Sequence, residues 1–330
     1  MTRYDTKLAR IAAGQYQSGD FILADAKDGD MGPALPSTGP VRAIDGSVTR
    51  FRTRREFLDQ IKAILKQDVV DIMLTSASNL EVLRAENTFD QTSVKAAIRA
   101  NDASDIWVGR GATYAQQPSR GFRTASIERT IRHTDLGLYS ITFNNHLDAD
   151  HASLEAFHAF RREAEAEGFS YFLEVFNPNA ATGLAPDLMP QFVNDCIVRM
   201  LAGLTKAERP RFLKIAFNGP AALEELASWD PTLIVGVLGG GAGTARDTFE
   251  LLAQAEKHGA RVALFGRKIN LAEDPLALLV QMRAIVDGQT TPQEAVRAYH
   301  GDLQKNGIRP VRPLDDDLVI TEAVLKHAGS

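Results

Sequence analysis

The sequence predicts an α/β fold, a single (β/α)8 TIM barrel, on three observations. Short apolar runs alternate with helical patterns eight times along the 330 residues. The runs are continuous rather than apolar–polar alternating, as parallel strands buried on both faces should be. No low-complexity linker breaks the alternation, so residues 1–330 read as one domain, with the barrel core at about 21–290, an ordinary barrel length. An open doubly wound sheet is the rival arrangement.

Residues 6–17 read as an extra helix outside the barrel. Residues 21–26 (FILADA) are the first strand, followed by a long loop, 27–48, punctuated by Gly29, Gly32, Pro33, Pro36, Gly39 and Pro40. Phe57, Ile61 and Leu65 recur at helical spacing within 53–66, with Thr53 as N-cap. Residues 69–75 are the second strand. Helices are expected from residue 79 and over 93–100, then a short third strand at 105–110 (DIWVGR). The stretch 111–132 is irregular and carries Arg120, Arg123, Arg129 and Arg132. Residues 136–143 form the fourth strand, a charged helix runs to Gly168, and 171–176 (YFLEVF) is the fifth strand, stopped by Asn-Pro-Asn. A helix at 186–204 leads to the sixth strand (FLKIAF), which Gly219-Pro220 ends. A helix at 220–228 precedes the seventh strand, 233–238. The next helix runs to His258 and stops at Gly259. The eighth strand is 261–265. Helices at 275–286 and 292–306 and a tail rich in Pro and Asp complete the chain.

Composition excludes several classes. A net charge of -5 leaves no basic footprint for nucleic acid. No stretch reaches transmembrane length and no signal-peptide core opens the chain, so a cytoplasmic location without membrane contact is expected. The single cysteine, Cys196, excludes an intrachain disulfide framework and sits in an apolar helical pattern as a core thiol.

Barrel chemistry collects at the C-terminal strand ends. Lys214 is a lone charge inside an apolar strand, costly unless paired, solvated or neutral. Side-chain alternation places Glu174 on the neighbouring strand beside it, and puts Asp25 and Lys27 on one face of the first strand. If those faces look inward, an amine and two carboxylates converge. The bland alternatives are a structural Glu174–Lys214 pair and a loop-capping Asp25. Arg110 and Asn144 end the third and fourth strands. Gly239-Gly240-Gly241 follows the seventh strand and opens a helix near Ala245, where bare backbone N–H groups suit an anion. Gly266 and Arg267, after the eighth strand, would add a guanidinium fork. No Gly-Lys-Ser/Thr follows the glycines, so this is no nucleotide P-loop. The histidines lack zinc-enzyme spacing, and no cofactor or metal is expected; a magnesium site from Asp25 and Glu174 is the weaker alternative.

This order of strand ends, Asp25, Glu174, Lys214, glycine run and Gly266-Arg267, resembles the class I (Schiff-base) aldolase superfamily, in particular its tagatose-bisphosphate, archaeal fructose-bisphosphate and deoxyribose-phosphate aldolase group. The resemblance spans residues 21–298 and is most specific from Phe212 onward. It implies a Schiff base on Lys214, proton transfer by Glu174 and Asp25, and a phosphate cradle at Gly239, Gly240, Gly241, Gly266 and Arg267, with Lys27, Arg110 and Asn144 as further substrate contacts. It implies a phosphorylated small-molecule substrate and a homo-oligomer. The chain departs from the family in having no fourth-strand lysine and in reading Gly266-Arg267-Lys268 where Gly-Arg-Asn is common. A lysine-dependent thiolase- or transaldolase-like transfer and a non-catalytic sugar-phosphate-binding protein are the alternative functions.

Overall fold

Eight parallel strands close into a barrel in chain order, the last pairing back onto the first. The computed structural model describes residues 1–43, 46–101 and 108–326. The strands are β1 (Ile22–Lys27), β2 (Ile72–Thr75), β3 (Lys95–Arg99), β4 (Leu136–Thr142), β5 (Ser170–Phe176), β6 (Leu213–Ile215), β7 (Val235–Leu238) and β8 (Val262–Phe265). Around them run α1 (Arg3–Ala12), α2 (Arg54–Gln67), α3 (Ala77–Ala85), α4 (Ile127–Thr130), α5 (Leu147–Ala166), α6 (Met189–Leu201), α7 (Pro220–Trp229), α8 (Ala245–Lys257), α9 (Arg267–Asn270), α10 (Pro275–Val286), α11 (Pro292–Lys305) and α12 (Leu314–Asp317). The barrel expected from the sequence is therefore the observed fold. Thr53 caps α2 as expected, its hydroxyl and Glu56 forming a reciprocal capping box.

Strand parity decides what faces the lumen. One apolar cluster contains Ile22, Ala24, Ala26, Ile72, Leu74, Ala97, Leu138, Phe172, Phe212 and Leu264. These even- and odd-numbered positions are the inward faces of their strands, two apart along each. The other cluster joins Leu23, Met73, Ile98, Leu173, Leu213 and Phe265 to the helices, so those positions face outward. Phe172 and Phe212 stack at 4.5 Å in the lumen, worth about 0.5–1.5 kcal/mol beyond their burial.

The third strand differs from its expected place. Residues 93–100 fold not as a helix but as β3, and Ala97 fills the lumen. The expected strand at 105–110 falls largely outside the described residues; Arg110 lies exposed in a turn. The loop after β1 contains a two-stranded hairpin, Pro40–Arg42 with Val48–Phe51.

The first helix also starts earlier than expected, because Thr2 and Asp5 form a capping box. It closes the N-terminal end of the barrel: Tyr4 is buried and meets Phe212 edge-on at 6.3 Å. Asp71, fully buried at the start of β2, ties this end together. It accepts from Arg3 Nε at 2.7 Å, Lys7 Nζ at 3.1 Å, Arg283 Nη2 at 2.6 Å and the Leu23 N–H at 2.8 Å. Burial pushes its carboxyl up, but the Arg283 and Lys7 charges outweigh this and hold it below the ordinary carboxylate value.

Candidate active site

The parallel register of β4, β5 and β6 sets Ser140, Glu174 and Lys214 side by side in one row across the barrel wall. All three share the inward parity of Leu138, Phe172 and Phe212, one layer nearer the C-terminal strand ends. The stacked phenylalanines therefore form a dry floor beneath them. Lys214 Nζ lies 2.5 Å from Glu174 Oε1, with the lysine 6% and the glutamate 2% exposed. Such a pair, almost wholly out of water, holds only if its remaining lone pairs are also met. Ser140 Oγ donates to Glu174 Oε2 at 2.7 Å, and Arg99 Nη1 lies 3.8 Å from the same oxygen.

Next in the row of paired residues, Gly236 faces Lys214 from β7. A Cβ there would sit 2.7 Å from Val262 Cβ and 2.8 Å from the Leu213 carbonyl oxygen. Glycine is needed at this position for close strand approach rather than for an unusual backbone angle.

Arg99 ends β3 and reaches across the mouth. Its Nη1 pairs with Asp28 Oδ2 at 2.9 Å, Nη2 donates to Ser140 Oγ at 3.2 Å, and Nε donates to the Asn101 carbonyl at 3.0 Å. Asn101 in turn brackets the Ser140 backbone, with two hydrogen bonds of 2.7 Å. The mouth thus holds alternating charges in sequence: Asp28, Arg99, Glu174 and Lys214. An ammonium, a proton acceptor 2.5 Å away, a second carboxylate and a fixed guanidinium together can carry amine addition and proton transfer.

The residues expected from the sequence divide. Glu174 and Lys214 come together. Asp25 and Lys27 do not join them, because Ala24 and Ala26 hold the inward face of β1 and the intervening residues point outward. Both are fully buried in the wall and pair with each other: Lys27 Nζ donates to Asp25 Oδ1 at 3.0 Å, and Oδ2 lies 2.9 Å away, off the line of a hydrogen bond. Lys27 also donates to Asn270 Oδ1. Burial pushes the Asp25 carboxyl up and the Lys27 amine down from their ordinary values, against the opposing pull of each on the other.

Asp28 supplies the β1 carboxylate instead. It continues the parity of Ala24 and Ala26 into the mouth, and those two small residues are the sequence signal that marks the inward face. Asn144 is 2% exposed on β4's inward parity; its Oδ1 accepts from the Ala180 N–H at 3.3 Å, while its Nδ2 has no partner. Thr142 Oγ1, one step below on the same face, is likewise buried without a partner. These are two groups free to meet a polar ligand.

The glycine loop is only partly as expected. The first N–H groups of α8 are already taken: Asp317 Oδ1 accepts from the Ala245 N–H at 2.8 Å, and Asp247 Oδ2 accepts from the Thr244 N–H at 2.9 Å. The chain's own carboxylates occupy that helix end, so it is not an open anion site. Gly239 packs on the Phe265 ring, Gly240 takes φ +66°, and Gly241 is exposed. Gly266 caps α9, and Arg267 is exposed beside the same loop, whereas Lys268 is buried against Glu322 at 2.7 Å. Among the described residues, no group of three or more His, Cys, Asp or Glu is placed to hold a metal ion.

No protein-family model matches the chain, and no curated protein matches it. Solved structures do. An archaeal fructose 1,6-bisphosphate aldolase superposes with a TM-score of 0.62 at 14% identity, over 86% of this chain and 99% of that one. Cgl0159 from Corynebacterium glutamicum (Brevibacterium flavum) superposes with a TM-score of 0.57 at 19% identity, over 87% of this chain and 94% of that one. At these identities the likeness establishes the fold: this chain is a closed (β/α)8 barrel similar in architecture to the archaeal aldolase.

Proposed function

We propose that the protein is a lyase, a metal-independent class I aldolase that makes or breaks a carbon–carbon bond in a phosphorylated, sugar-like ketose through a Schiff base on Lys214. One observation carries the reading above all: the in-register Glu174–Lys214 pair at 2.5 Å, buried over a phenylalanine floor at the end of the barrel where such folds do chemistry. Burial makes breaking the pair expensive without making its presence profitable.

In this mechanism Lys214 passes a proton to Glu174 and adds its lone pair to the ketone carbon. The carbinolamine hydroxyl takes the proton back from Glu174 and leaves as water, giving the iminium. The bond between the carbon next to the iminium and the hydroxyl-bearing carbon beyond it then breaks, and its electron pair moves into the iminium to form an enamine. The hydroxyl proton goes to Asp28, and the departing fragment is an aldehyde. Protonation of the enamine and hydrolysis of the iminium return free Lys214 and a ketone. Arg99 keeps Asp28 and Ser140 in place throughout. Thr142 and Asn144 offer their unpartnered polar atoms to substrate hydroxyls. The backbone of Gly239, Gly240 and Gly241 with Gly266 and Arg267 would meet the phosphate and hold the carbonyl over Lys214.

The test is turnover on a panel of phosphorylated ketoses. Cleavage should survive EDTA and fall by at least about 10³-fold in Lys214→Ala, given that the covalent route is removed. Undiminished turnover in that variant would end the proposal.

A further inference from the structure

On the side of β1 and β8, a cavity of about 610 Å³ opens between three segments that a bare barrel does not need: the hairpin after β1, residues 270–273 at the end of α9, and residues 307–311 after α11. Its size lies in the range of small-molecule sites. Among the described residues, three guanidinium groups line it, Arg42, Arg52 and Arg309, against one carboxylate, Glu273. That carboxylate is already engaged: its oxygens accept from the Val311 N–H at 2.7 Å and the Tyr299 hydroxyl at 3.0 Å. The net positive charge of this described lining is the reverse of the chain's overall -5.

Among the described residues none of the three arginines makes an ion pair. Arg52 is half-buried, and Glu56, the acid whose charge it feels, is held by Arg50 at 2.6 Å. Arg52 donates to the Thr38 carbonyl at 3.2 Å and crosses Gly39 so closely that a Cβ there would stand 2.3 Å from its Nη1. Gly39, at φ +86°, is the residue that lets the guanidinium be held there. Burial lowers the affinity of Arg52 for its proton below the ordinary value, against the opposing pull of Glu56. Asn270, 5% exposed, lines the same cavity and binds the buried Lys27 behind it.

We infer that this cavity, lined by none of the residues assigned to the Lys214 site, is a second ligand site that binds a small organic phosphate carrying more than one negative charge. Guanidinium forks match phosphate oxygens two at a time, and three of them around one hollow suit a polyanion better than a single carboxylate. A simple solvated surface is the competing account. It does not explain why Arg52 is held half-buried across Gly39 with no ion-pair partner among the described residues.

The experiment is calorimetric titration of the full chain with inorganic pyrophosphate at constant ionic strength. Wild type and Lys214→Ala should bind alike, and Arg52→Gln with Arg309→Gln should weaken binding at least tenfold. Because Arg52 packs against the hairpin, a second pair of exposed changes, Arg42→Gln with Arg309→Gln, serves as a check and should also weaken binding with the thermal midpoint unchanged. No binding to the wild type at millimolar pyrophosphate overturns the inference. So does unchanged affinity in the Arg42/Arg309 pair, or loss of binding in Arg267→Ala alone, which would put the anion at the barrel mouth.

Discussion

Exchanging Asp28 or Asp25 for asparagine separates the proposed proton acceptor from the carboxylate buried in the wall. Asp28→Asn removes the partner 2.9 Å from Arg99, but that guanidinium keeps Ser140 and the Asn101 carbonyl. The stability loss should therefore be about 1–3 kcal/mol, that of a charge-assisted hydrogen bond rather than of a stranded charge. Turnover should fall by about 10²–10⁴-fold, as for a lost general base. Asp25→Asn acts on a pair that is fully buried on both sides. Leaving a lone charge in such a place costs about 3–5 kcal/mol. Burial already holds Lys27 below its ordinary value, so in the variant Lys27 sheds its proton, and the cost falls to about 1–3 kcal/mol. Both variants should thus unfold at similarly lowered urea concentrations, while only Asp28→Asn loses turnover per folded molecule. The assay is the ketose-phosphate turnover, corrected for folded fraction by circular dichroism. Full turnover in Asp28→Asn with loss in Asp25→Asn would refute the parity argument and move the site to the other face of β1.

Three further outcomes follow from the same geometry. Arg99→Gln should leave two carboxylates, Asp28 and Glu174, without their shared cation; turnover should drop about 10²-fold or more, partly restored in Arg99→Lys, which keeps the charge but not the fork. Gly236→Ala should cost about 1–3 kcal/mol by overpacking and slow turnover by displacing Lys214, read from denaturant midpoints and kinetics together. Asp71, held below its ordinary value, contributes stability that is present above the unfolded carboxylate's value near about 4 and is lost as pH falls through its lower folded value. Urea midpoints should therefore fall more steeply below about pH 4 in the wild type than in Asp71→Asn.

The barrel and its lysine were legible because their signals are local and strong. Lys214 and Glu174 each interrupt an aromatic-rich strand, and neighbouring strands in a parallel barrel must set them side by side. What the sequence hid has two physical causes. Residues 93–100 are rich in alanine and have no period-2 pattern, so helix propensity outweighs the tertiary burial that makes them β3. With β3 misplaced, Arg99 and Asn101 went unrecognised as mouth residues. In β1 every residue is buried, so burial gives no alternation to show which face is inward, and Asp25 stood out although Asp28 is the carboxylate beside Arg99. That the start of α8 is closed to an anion was hidden for another reason: the carboxylate that fills it comes from Asp317, seventy-two positions along the chain from Ala245.

The central claim is that Lys214 forms a covalent imine with substrate, and borohydride reduction tests it most directly. Incubating the protein with phosphorylated ketoses, dihydroxyacetone phosphate among them, and then with borohydride should leave one stable adduct. Peptide mass spectrometry should place it on Lys214, with none formed in Lys214→Ala. Turnover of a ketose that leaves no reducible adduct, or an adduct on Lys27 or another lysine, would contradict the account.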